Sequence, residues 1–353
     1  MVSTIFLMTC HSSGSSHKDS SSSNLAITYT GEGAVVQFKM VEGLHRILTR
    51  DTSLNSFQSD LYIENLDDAI FSYDLLVHKK DTSGKMMPIS PIVDSISINN
   101  EKPTVKQSRF IWIGKNRNPD YHTSETIVGT LTTKKIDSQY LSESREITVY
   151  EPITESKNIP HVYFTDGQVV RYYASYVDRL ISDRRIAPVK LIGVHSSPAD
   201  RYEEYVFKSE SSKLFDKHLD FFLNEVIEES NLEHNSKKTN KYLYGFSNGG
   251  SFCIYVGLNF PDKFREVIAF SSVDYISEYA QKSNPIQFEF TEYPYFYLGA
   301  GIYEKSIFAD NLYFHKKIKD NQIESELHKF ISGHDSNVWR IEFLDYLVKE
   351  FGK

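Results

Sequence analysis

A short glycine-rich segment of the chain holds the residue best suited to act as a nucleophile. Gly245-Phe-Ser247-Asn-Gly249 fits the pattern G-x-S-x-G, in which a serine lies at a tight turn between a strand and a helix. Glycines on either side of the serine avoid the collisions that Cβ atoms would make in so strained a turn. Lys241–Tyr244 predicts the apolar strand before it, and Ser251–Leu258 predicts the apolar helix after it. We therefore predict that Ser247 is a nucleophile at the positive end of a helix; an ordinary glycine-rich helix start is the alternative.

Two histidines that follow this segment compete for the role of general base. A serine nucleophile needs a base to take its proton and a carboxylate to orient that base, and in hydrolases with this turn the chain order is serine, acid, histidine. His328 lies within the predicted last strand, which favours a structural role. His334 lies in the loop between that strand and the last helix, from which an imidazole can reach over the strand ends. We therefore predict that His334 is the base.

Three carboxylates between the nucleophile and the base are candidates for the acid. Glu304 follows an apolar strand through the turn Gly299-Ala-Gly301, so it can reach the carboxyl edge of the sheet. Asp274 follows the preceding strand directly, and Asp310 comes from the same region as Glu304. We prefer Glu304 and keep Asp274 and Asp310 as alternatives.

Serine catalysis also needs two amide donors for the oxyanion of a tetrahedral intermediate. Asn248 follows the nucleophile and should supply one from its backbone. The loop Asp166-Gly167-Gln168 follows a predicted strand and opens a helix, so the amide of Gln168 or Gly167 is the candidate for the second. Asp and Gly also favour such a turn without any function, and that alternative stays open. Cys253 lies inside the apolar helix and is expected to pack in the core rather than to act as a second nucleophile.

All of these residues lie in a region where strands alternate with helices. From residue 121 to residue 353, apolar strands are interleaved with amphipathic helices, which indicates a mainly parallel sheet with helices on both faces. The ends of the strands are the place for chemistry in such a sheet. With the G-x-S-x-G turn, this pattern predicts the α/β fold class and, within it, an α/β-hydrolase domain.

Residues 24–120 show a different pattern. Short stretches such as Ala34–Met40 and Ile70–Val77 alternate apolar and polar residues and are separated by turn residues. This alternation indicates strands with one solvent-exposed face, and several in a row predict a small immunoglobulin-like β-sandwich. Since no group of catalytic residue types occurs here, this domain either shapes the substrate site or serves as a structural appendage.

The first 23 residues are expected to lie outside the fold. A short apolar run ends in Leu7-Met-Thr-Cys10 and is followed by a serine-rich tract typical of a flexible tether. The run resembles the lipobox of bacterial lipoproteins, although Thr9 stands where a smaller residue is usual and no basic residue precedes it. We expect an exported bacterial protein, periplasmic or at the cell surface, attached to a membrane through lipidated Cys10. A disordered leader is the alternative.

The overall composition excludes one class of partner. The 353 residues carry a formal net charge of −8, which argues against nucleic acid because phosphate binding needs a basic surface. The motifs require no metal and no cofactor. The 23 Tyr and 23 Phe residues can fill a sizeable aromatic core.

In chain order these motifs resemble the putative-esterase family of α/β-hydrolases, which includes enterochelin (siderophore) esterases and feruloyl or acetyl-xylan esterases. The resemblance runs from about residue 129 to the C-terminus, and its elbow and histidine segments are the most specific. An N-terminal β-sandwich also occurs in siderophore-esterase relatives. The matching segments are Arg145–Pro152, Val162–Gln168, Arg201–Tyr205, Gly245–Gly250, Gly301–Glu304 and Gly333–Arg340.

The resemblance implies a serine esterase whose substrate is a small-molecule or polysaccharide-linked ester. Arg201 and Asp166 are candidate substrate contacts, although a pair between Arg201 and Glu204 that fixes a loop is favoured for the arginine. An anionic siderophore ester would suit Arg184, Arg185 or Arg201. A polysaccharide ester would suit aromatic side chains of residues 274–293, among them Tyr275, Tyr279, Phe288 and Phe290. The alternative function is a non-catalytic surface binding protein on an inactive hydrolase scaffold.

Overall fold

The computed structural model contains three β-sheets within the residues that it describes. These residues are 22–40, 45–91, 96–99, 102–106, 109–156, 158–208, 213–228, 238–274 and 288–353. Cys10, Tyr275 and Tyr279 therefore lie outside the described residues. Ser22 and Ser23, which the sequence pattern places outside the fold, instead begin the first strand, because their backbone pairs with residues 63 and 64. Among the helices of the described ranges, none has the length and apolar character needed to cross a membrane.

Two antiparallel sheets form from the N-terminal third of the chain. Their strands are β1 (Ser22–Tyr29), β2 (Val35–Met40), β3 (His45–Ile47), β4 (Thr49–Asp51), β5 (Ser56–Glu64), β6 (Ile70–Lys80), β7 (Met86–Ile89), β8 (Ile96–Ile98), β9 (Thr104–Lys106) and β10 (Arg109–Ile113). The first sheet has the order β4-β5-β1-β8, and the second has the order β3-β2-β6-β10-β9 with β7 also paired to β6.

The two N-terminal sheets enclose one apolar core. Alternate residues of β1 and β5 in the first sheet, such as Leu25 and Leu61, pack with alternate residues of β2 and β6 in the second, such as Phe38 and Tyr73. This period of two is the one that the sequence pattern predicts for half-buried strands. We call these two sheets the N-terminal module. The more specific expectation of an immunoglobulin-like sandwich stays a prediction.

The third sheet is mixed and has eight strands. In the order β11-β12-β14-β13-β15-β16-β17-β18, the first two pairings are antiparallel and the other five are parallel. The four residues between β11 and β12 allow a hairpin but are too few for a parallel crossover. The strands are β11 (Thr130–Ser138), β12 (Glu143–Glu151), β13 (His161–Phe164), β14 (Lys190–Val194), β15 (Lys241–Phe246), β16 (Glu266–Phe270), β17 (Tyr295–Gly301) and β18 (Ser325–Phe330).

Helices cover both faces of the eight-stranded sheet. They are α1 (Val170–Ser182), α2 (Arg201–Tyr205), α3 (Lys213–Asp220, continued by a π-helix over Phe221–Val226), α4 (Asn248–Asn259), α5 (Lys305–Asp320) and α6 (Ser336–Phe351). Apolar residues of α3, α4 and α5 form one core with the sheet, whereas α1 and α6 form a second core on the opposite face. This arrangement is of the α/β-hydrolase type, and it leaves the carboxyl ends of β13 to β18 open for a site.

Candidate active site

Ser247 lies at the turn between β15 and α4. Its backbone angles are φ 55° and ψ −130°, a region that residues other than glycine rarely adopt. The Ser247 amide donates to the carbonyl of Phe270 at 2.9 Å, and its carbonyl accepts from the Ser251 amide at 3.2 Å. The strained turn is therefore held on one side by the neighbouring strand β16 and on the other by the helix.

Gly249 allows the turn to approach the loop that follows β13, and Gly167 allows that loop to approach β14. A Cβ on Gly249 would lie 2.4 Å from the Thr165 hydroxyl oxygen and 3.0 Å from a carboxylate oxygen of Asp166. A Cβ on Gly167 would lie 2.2 Å from the carbonyl carbon of Gly193 on β14. Neither position can hold a larger side chain without displacing backbone or buried polar atoms. The nucleophile turn and the predicted oxyanion loop thus pack directly against each other.

The structure brings Ser247, His334 and Glu304 together in one hydrogen-bonded chain. The Ser247 hydroxyl oxygen lies 3.0 Å from Nε2 of His334, and Nδ1 of His334 lies 2.6 Å from Oε2 of Glu304. The first distance is a normal hydrogen-bond length, and the second is short, as is typical of bonds to a carboxylate. The acid and the base follow the neighbouring parallel strands β17 and β18, so their loops emerge at the same edge of the sheet as Ser247. This geometry is the one required of a nucleophile, a base and an orienting carboxylate.

The Glu304 carboxylate is buried, and its two oxygens have different partners. Oε1 accepts from the Gly301 amide at 2.7 Å and from the Ser271 hydroxyl, while Oε2 faces His334. The Ser271 oxygen in turn accepts from the indole N–H of Trp339 at 2.9 Å. A carboxylate can only accept, so the proton of the neutral imidazole lies on Nδ1 and Nε2 presents its lone pair to Ser247.

Ser271 and Trp339 are site residues to which the sequence analysis gives no role. Ser271 directly follows the buried strand β16 as the first of two consecutive serines, and a polar pair at a strand's carboxyl end is a signal that would have found it. Trp339 lies in the first turns of α6, and its ring stands perpendicular to the His334 ring with centroids 4.6 Å apart. A tryptophan at this position of the sequence fits the wall of a site and a hydrophobic core equally well, so the residue type alone gives no signal.

Asp274, one of the alternatives for the acid, has a different partner in the structure. Its carboxylate accepts from the side-chain amide of Asn248 at 2.7 Å. Asp310, the other alternative, lies in the second turn of α5. The carboxylate that the fold brings to Nδ1 of His334 is that of Glu304.

The predicted oxyanion donors lie at the starts of helical segments. Asn248 is the first residue of α4, and Gly167 and Gln168 begin the 3₁₀ turn Gly167–Val169. The first amides of a helix have no acceptor within that helix, so they are available to an anion. The contact between Gly249 and the loop after β13 brings these two helix starts to the same place.

Arg201 and Asp166, the two candidate substrate contacts, bind each other. Arg201 donates from Nε and Nη2 to the two carboxylate oxygens of Asp166 at 2.6 and 2.8 Å. Asp166 is only 3% exposed, so its carboxylate is turned to the arginine rather than to the open site. A third donor of Arg201, Nη1, reaches the side-chain oxygen of Asn248 at 3.1 Å. The guanidinium therefore links the oxyanion loop to the residue after the nucleophile.

The expected pair between Arg201 and Glu204 is not the one that the structure forms. Glu204 is buried and accepts from both terminal nitrogens of Arg145 on β12, at 2.6 and 3.0 Å. Arg201 instead binds Asp166 in the same bidentate manner. Each carboxylate is satisfied by the arginine that tertiary packing brings to it, so residues three apart on the short helix α2 take separate partners.

Two of the three arginines suggested for an anionic ligand lie away from Ser247. Arg184 and Arg185 follow α1 and precede β14, at the amino end of a strand that runs parallel to its neighbour β13. Ser247 lies at the carboxyl end of β15, on the opposite edge of the sheet, so these two side chains do not serve the site. Of the suggested aromatic residues within the described ranges, Phe288 and Phe290 pack edge-on against Tyr293.

Cys253 behaves as the core residue that the sequence predicts. Its side chain is fully buried in the core that α4 shares with the sheet. Burial raises the pKa of the Cys253 thiol well above its usual value. A thiol held in its neutral form is not a competing nucleophile.

Comparison with known proteins agrees with this fold. A sequence model of the putative-esterase family matches residues 138–288. The enterobactin esterase of Shigella flexneri, crystallised in the presence of enterobactin, is 12% identical over 94% of both chains with a TM-score of 0.67. The ferric enterobactin esterase of Salmonella typhimurium is 13% identical, also over 94% of both chains, with a TM-score of 0.67. A ferulic acid esterase is 15% identical over 63% of this chain and 97% of its own, with a TM-score of 0.52.

These comparisons establish the class of fold and support the family resemblance. At such low identities the structural likeness establishes the fold, which is that of esterases of the α/β-hydrolase type. The resemblance to the putative-esterase family that the sequence motifs carry is confirmed by the family match over residues 138–288. A search of curated protein sequences gives no match. The family supports hydrolysis of esters as the class of reaction.

Proposed function

We propose that this protein hydrolyses carboxylic esters through an acyl intermediate on Ser247. The observation that carries the proposal is the continuous hydrogen-bonded chain from Ser247 through His334 to buried Glu304. In the first step Nε2 of His334 takes the hydroxyl proton while the Ser247 oxygen attacks the ester carbonyl carbon. Glu304 remains ionised, keeps the imidazole in the correct tautomer and stabilises the imidazolium that forms.

The remaining steps follow from the same geometry. The carbonyl oxygen becomes an oxyanion and accepts from the amide of Asn248 and from that of Gln168 or Gly167, each donor being worth about 2.7 to 4 kcal/mol. The ester C–O bond then breaks, and His334 gives its proton to the leaving alkoxide. A water molecule next loses a proton to His334 and attacks the acyl carbon, which releases the acid and restores the Ser247 hydroxyl.

A siderophore-type ester is our proposed substrate class. The enterobactin esterases match 94% of this chain, so the likeness includes the N-terminal module, whereas the ferulic acid esterase covers 63%. We further propose that the N-terminal module is a β-sandwich. We also propose that it contributes to catalysis and is more than a structural appendage. A polysaccharide-linked aromatic ester is the competing substrate class.

Covalent labelling and a substrate panel test the proposal. A fluorophosphonate probe should label the wild-type protein and fail to label Ser247→Ala. Among p-nitrophenyl acetate, methyl ferulate, acetylated xylan and ferric enterobactin, we expect the highest kcat/KM for ferric enterobactin. A wild-type protein that takes up no probe and releases no product from any of the four esters would sink the esterase proposal. Faster turnover of methyl ferulate or acetylated xylan would leave the reaction standing and change the substrate class.

A binding protein on an inactive scaffold predicts a different pattern. In that case ferric enterobactin would bind equally to the wild type, Ser247→Ala and His334→Ala, while all three proteins lacked turnover. Isothermal titration calorimetry beside the kinetic assays separates the two functions.

Attachment to a membrane through lipidated Cys10 is a further part of the proposal. The apolar run and serine-rich tract around this residue support it. Expression in a bacterium with an alkyne-labelled fatty acid should label the wild type and leave Cys10→Ala unlabelled. Equal labelling of both proteins, or of neither, would contradict lipidation at this cysteine.

A further inference from the structure

The loop that carries His334 is held from outside the eight-stranded sheet. It leaves β18 beside β6 of the N-terminal module, and the Ile70 amide of β6 donates to the Ile331 carbonyl at 3.0 Å. The Ile331 side chain packs against the core of the N-terminal module. Residues Ile70–Tyr73 are buried on both faces of their strand, because one face meets their own core and the other meets the α/β domain.

Ser72 lies on the face of β6 that meets the α/β domain, and it contacts Asp335, the residue that directly follows His334. Its amide donates to one carboxylate oxygen of Asp335, and its hydroxyl lies 3.2 Å from the other. The same hydroxyl accepts from the side-chain amide of Asn337 at 2.9 Å. Asp335 also caps α6 by accepting from the Asn337 backbone amide at 2.9 Å. Ser72, Asp335 and Asn337 are all buried, so this network is shielded from water.

The acid loop has a parallel attachment to the same module. Tyr303, which directly precedes Glu304, donates its hydroxyl to the Glu64 carbonyl at 2.6 Å. Its ring meets that of Phe71 edge-on, with centroids 6.2 Å apart. The N-terminal module therefore holds the residues adjacent to both the acid and the base.

We infer that the N-terminal module sets the working position of the general base, with Ser72 as a positioning residue that acts through Asp335 on His334. Ser72 touches no reacting atom. Because Asp335 directly follows His334, fixing the Asp335 carboxylate fixes the peptide that carries the imidazole. The catalytic consequence rests on the proposed esterase function, whereas the positioning itself does not.

A pair of matched serine variants isolates this role. Ser72→Ala removes the hydroxyl contacts to Asp335 and Asn337. Ser56→Ala is the control, because Ser56 is also a buried serine on a strand of the N-terminal module and accepts from a side-chain amide, that of Gln58 at 3.0 Å. Small displacements of catalytic groups are costly, so we expect Ser72→Ala to lower kcat for p-nitrophenyl acetate about tenfold with KM unchanged. The control should keep the wild-type kcat with a similar loss of thermal stability.

Proton NMR of the imidazole gives a readout that needs no turnover. The Nδ1 proton of His334, shared with Glu304 at 2.6 Å between heavy atoms, should give a far-downfield signal that disappears in His334→Ala. We expect that signal to shift or broaden in Ser72→Ala, and also in Asn337→Ala as a second variant, while Ser56→Ala leaves it unchanged.

The outcomes separate this inference from the proposed function. A Ser72→Ala protein with wild-type kcat and an unmoved imidazole signal would overturn the positioning role. If the wild type neither turns over esters nor takes up the fluorophosphonate, but its imidazole signal responds to Ser72→Ala, the positioning stands and the esterase function fails.

Discussion

Replacing Glu304, the proposed acid, by its amide should reverse the arrangement of protons in the site. Oε1 of Glu304 accepts from the Gly301 amide and the Ser271 hydroxyl, while Oε2 faces Nδ1 of His334. In Glu304→Gln the amide oxygen takes the Oε1 position, because an NH₂ group there would face two donors. The NH₂ group then points at Nδ1, which must become an acceptor. The imidazole proton moves to Nε2, where it blocks transfer from Ser247.

The magnitude follows from the loss of the correct tautomer. A carboxylate-to-amide change of this kind in another serine hydrolase triad lowers kcat about 10⁴-fold. A factor of that size corresponds to about 5.5 kcal/mol of transition-state stabilisation. We expect a fall of this order for Glu304→Gln in steady-state hydrolysis of p-nitrophenyl acetate and in the rate of fluorophosphonate labelling. The thermal midpoint should change little, because the side-chain shape and the bonds to Gly301 and Ser271 are kept.

The same isosteric change at another carboxylate provides the control. Asp310→Asn, on the helix that follows the acid, should retain kcat near the wild-type value. A Glu304→Gln protein that keeps more than about a tenth of the wild-type kcat would refute the tautomer argument. So would a larger loss in Asp274→Asn than in Glu304→Gln, because it would move the acid to the alternative carboxylate.

Three further perturbations test the packing around the site and the pH dependence of the fold. Gly249→Ala places a Cβ 2.4 Å from the Thr165 hydroxyl oxygen, so the turn at Ser247 and the loop after β13 must separate. Steady-state kinetics should show kcat about 100-fold lower, and an unchanged kcat would contradict the close packing. Arg201→Ala leaves the buried carboxylate of Asp166 without its charged partner, which should lower the free energy of unfolding in urea by about 3 kcal/mol. A loss below about 1 kcal/mol would show that the ion pair is not needed for stability. Burial raises the pKa of Glu266 from 4.5 to about 8, so the folded chain holds a proton that the unfolded chain releases. The free energy of unfolding should therefore fall as pH rises from 4.5 to about 8, and in Glu266→Gln it should depend less on pH. An equal pH dependence in both proteins would contradict the raised pKa.

Much of the site could be predicted from sequence because its determinants are local. The strained turn at Ser247 depends on glycines within two residues of it and on the apolar strand and helix that flank it. The loops of Glu304 and His334 could be placed because each follows a predicted strand, and parallel strands end at one edge of their sheet. The strand β11 escaped prediction because it lies at the edge of the sheet, where polar residues are tolerated.

The choice of polar partners depended on the tertiary structure. Arg201 has a carboxylate three residues away in Glu204, yet it binds Asp166, 35 residues away, because packing brings that loop to it. Ser72 and Asp335 are 263 residues apart, one in the N-terminal module and the other in the loop after β18. Hydrogen bonds act over about 3 Å, and a pattern of residue types along a chain carries no information on distances between loops. The sequence determined which residues stand at the ends of strands, and the packing of the sheets decided which of them touch.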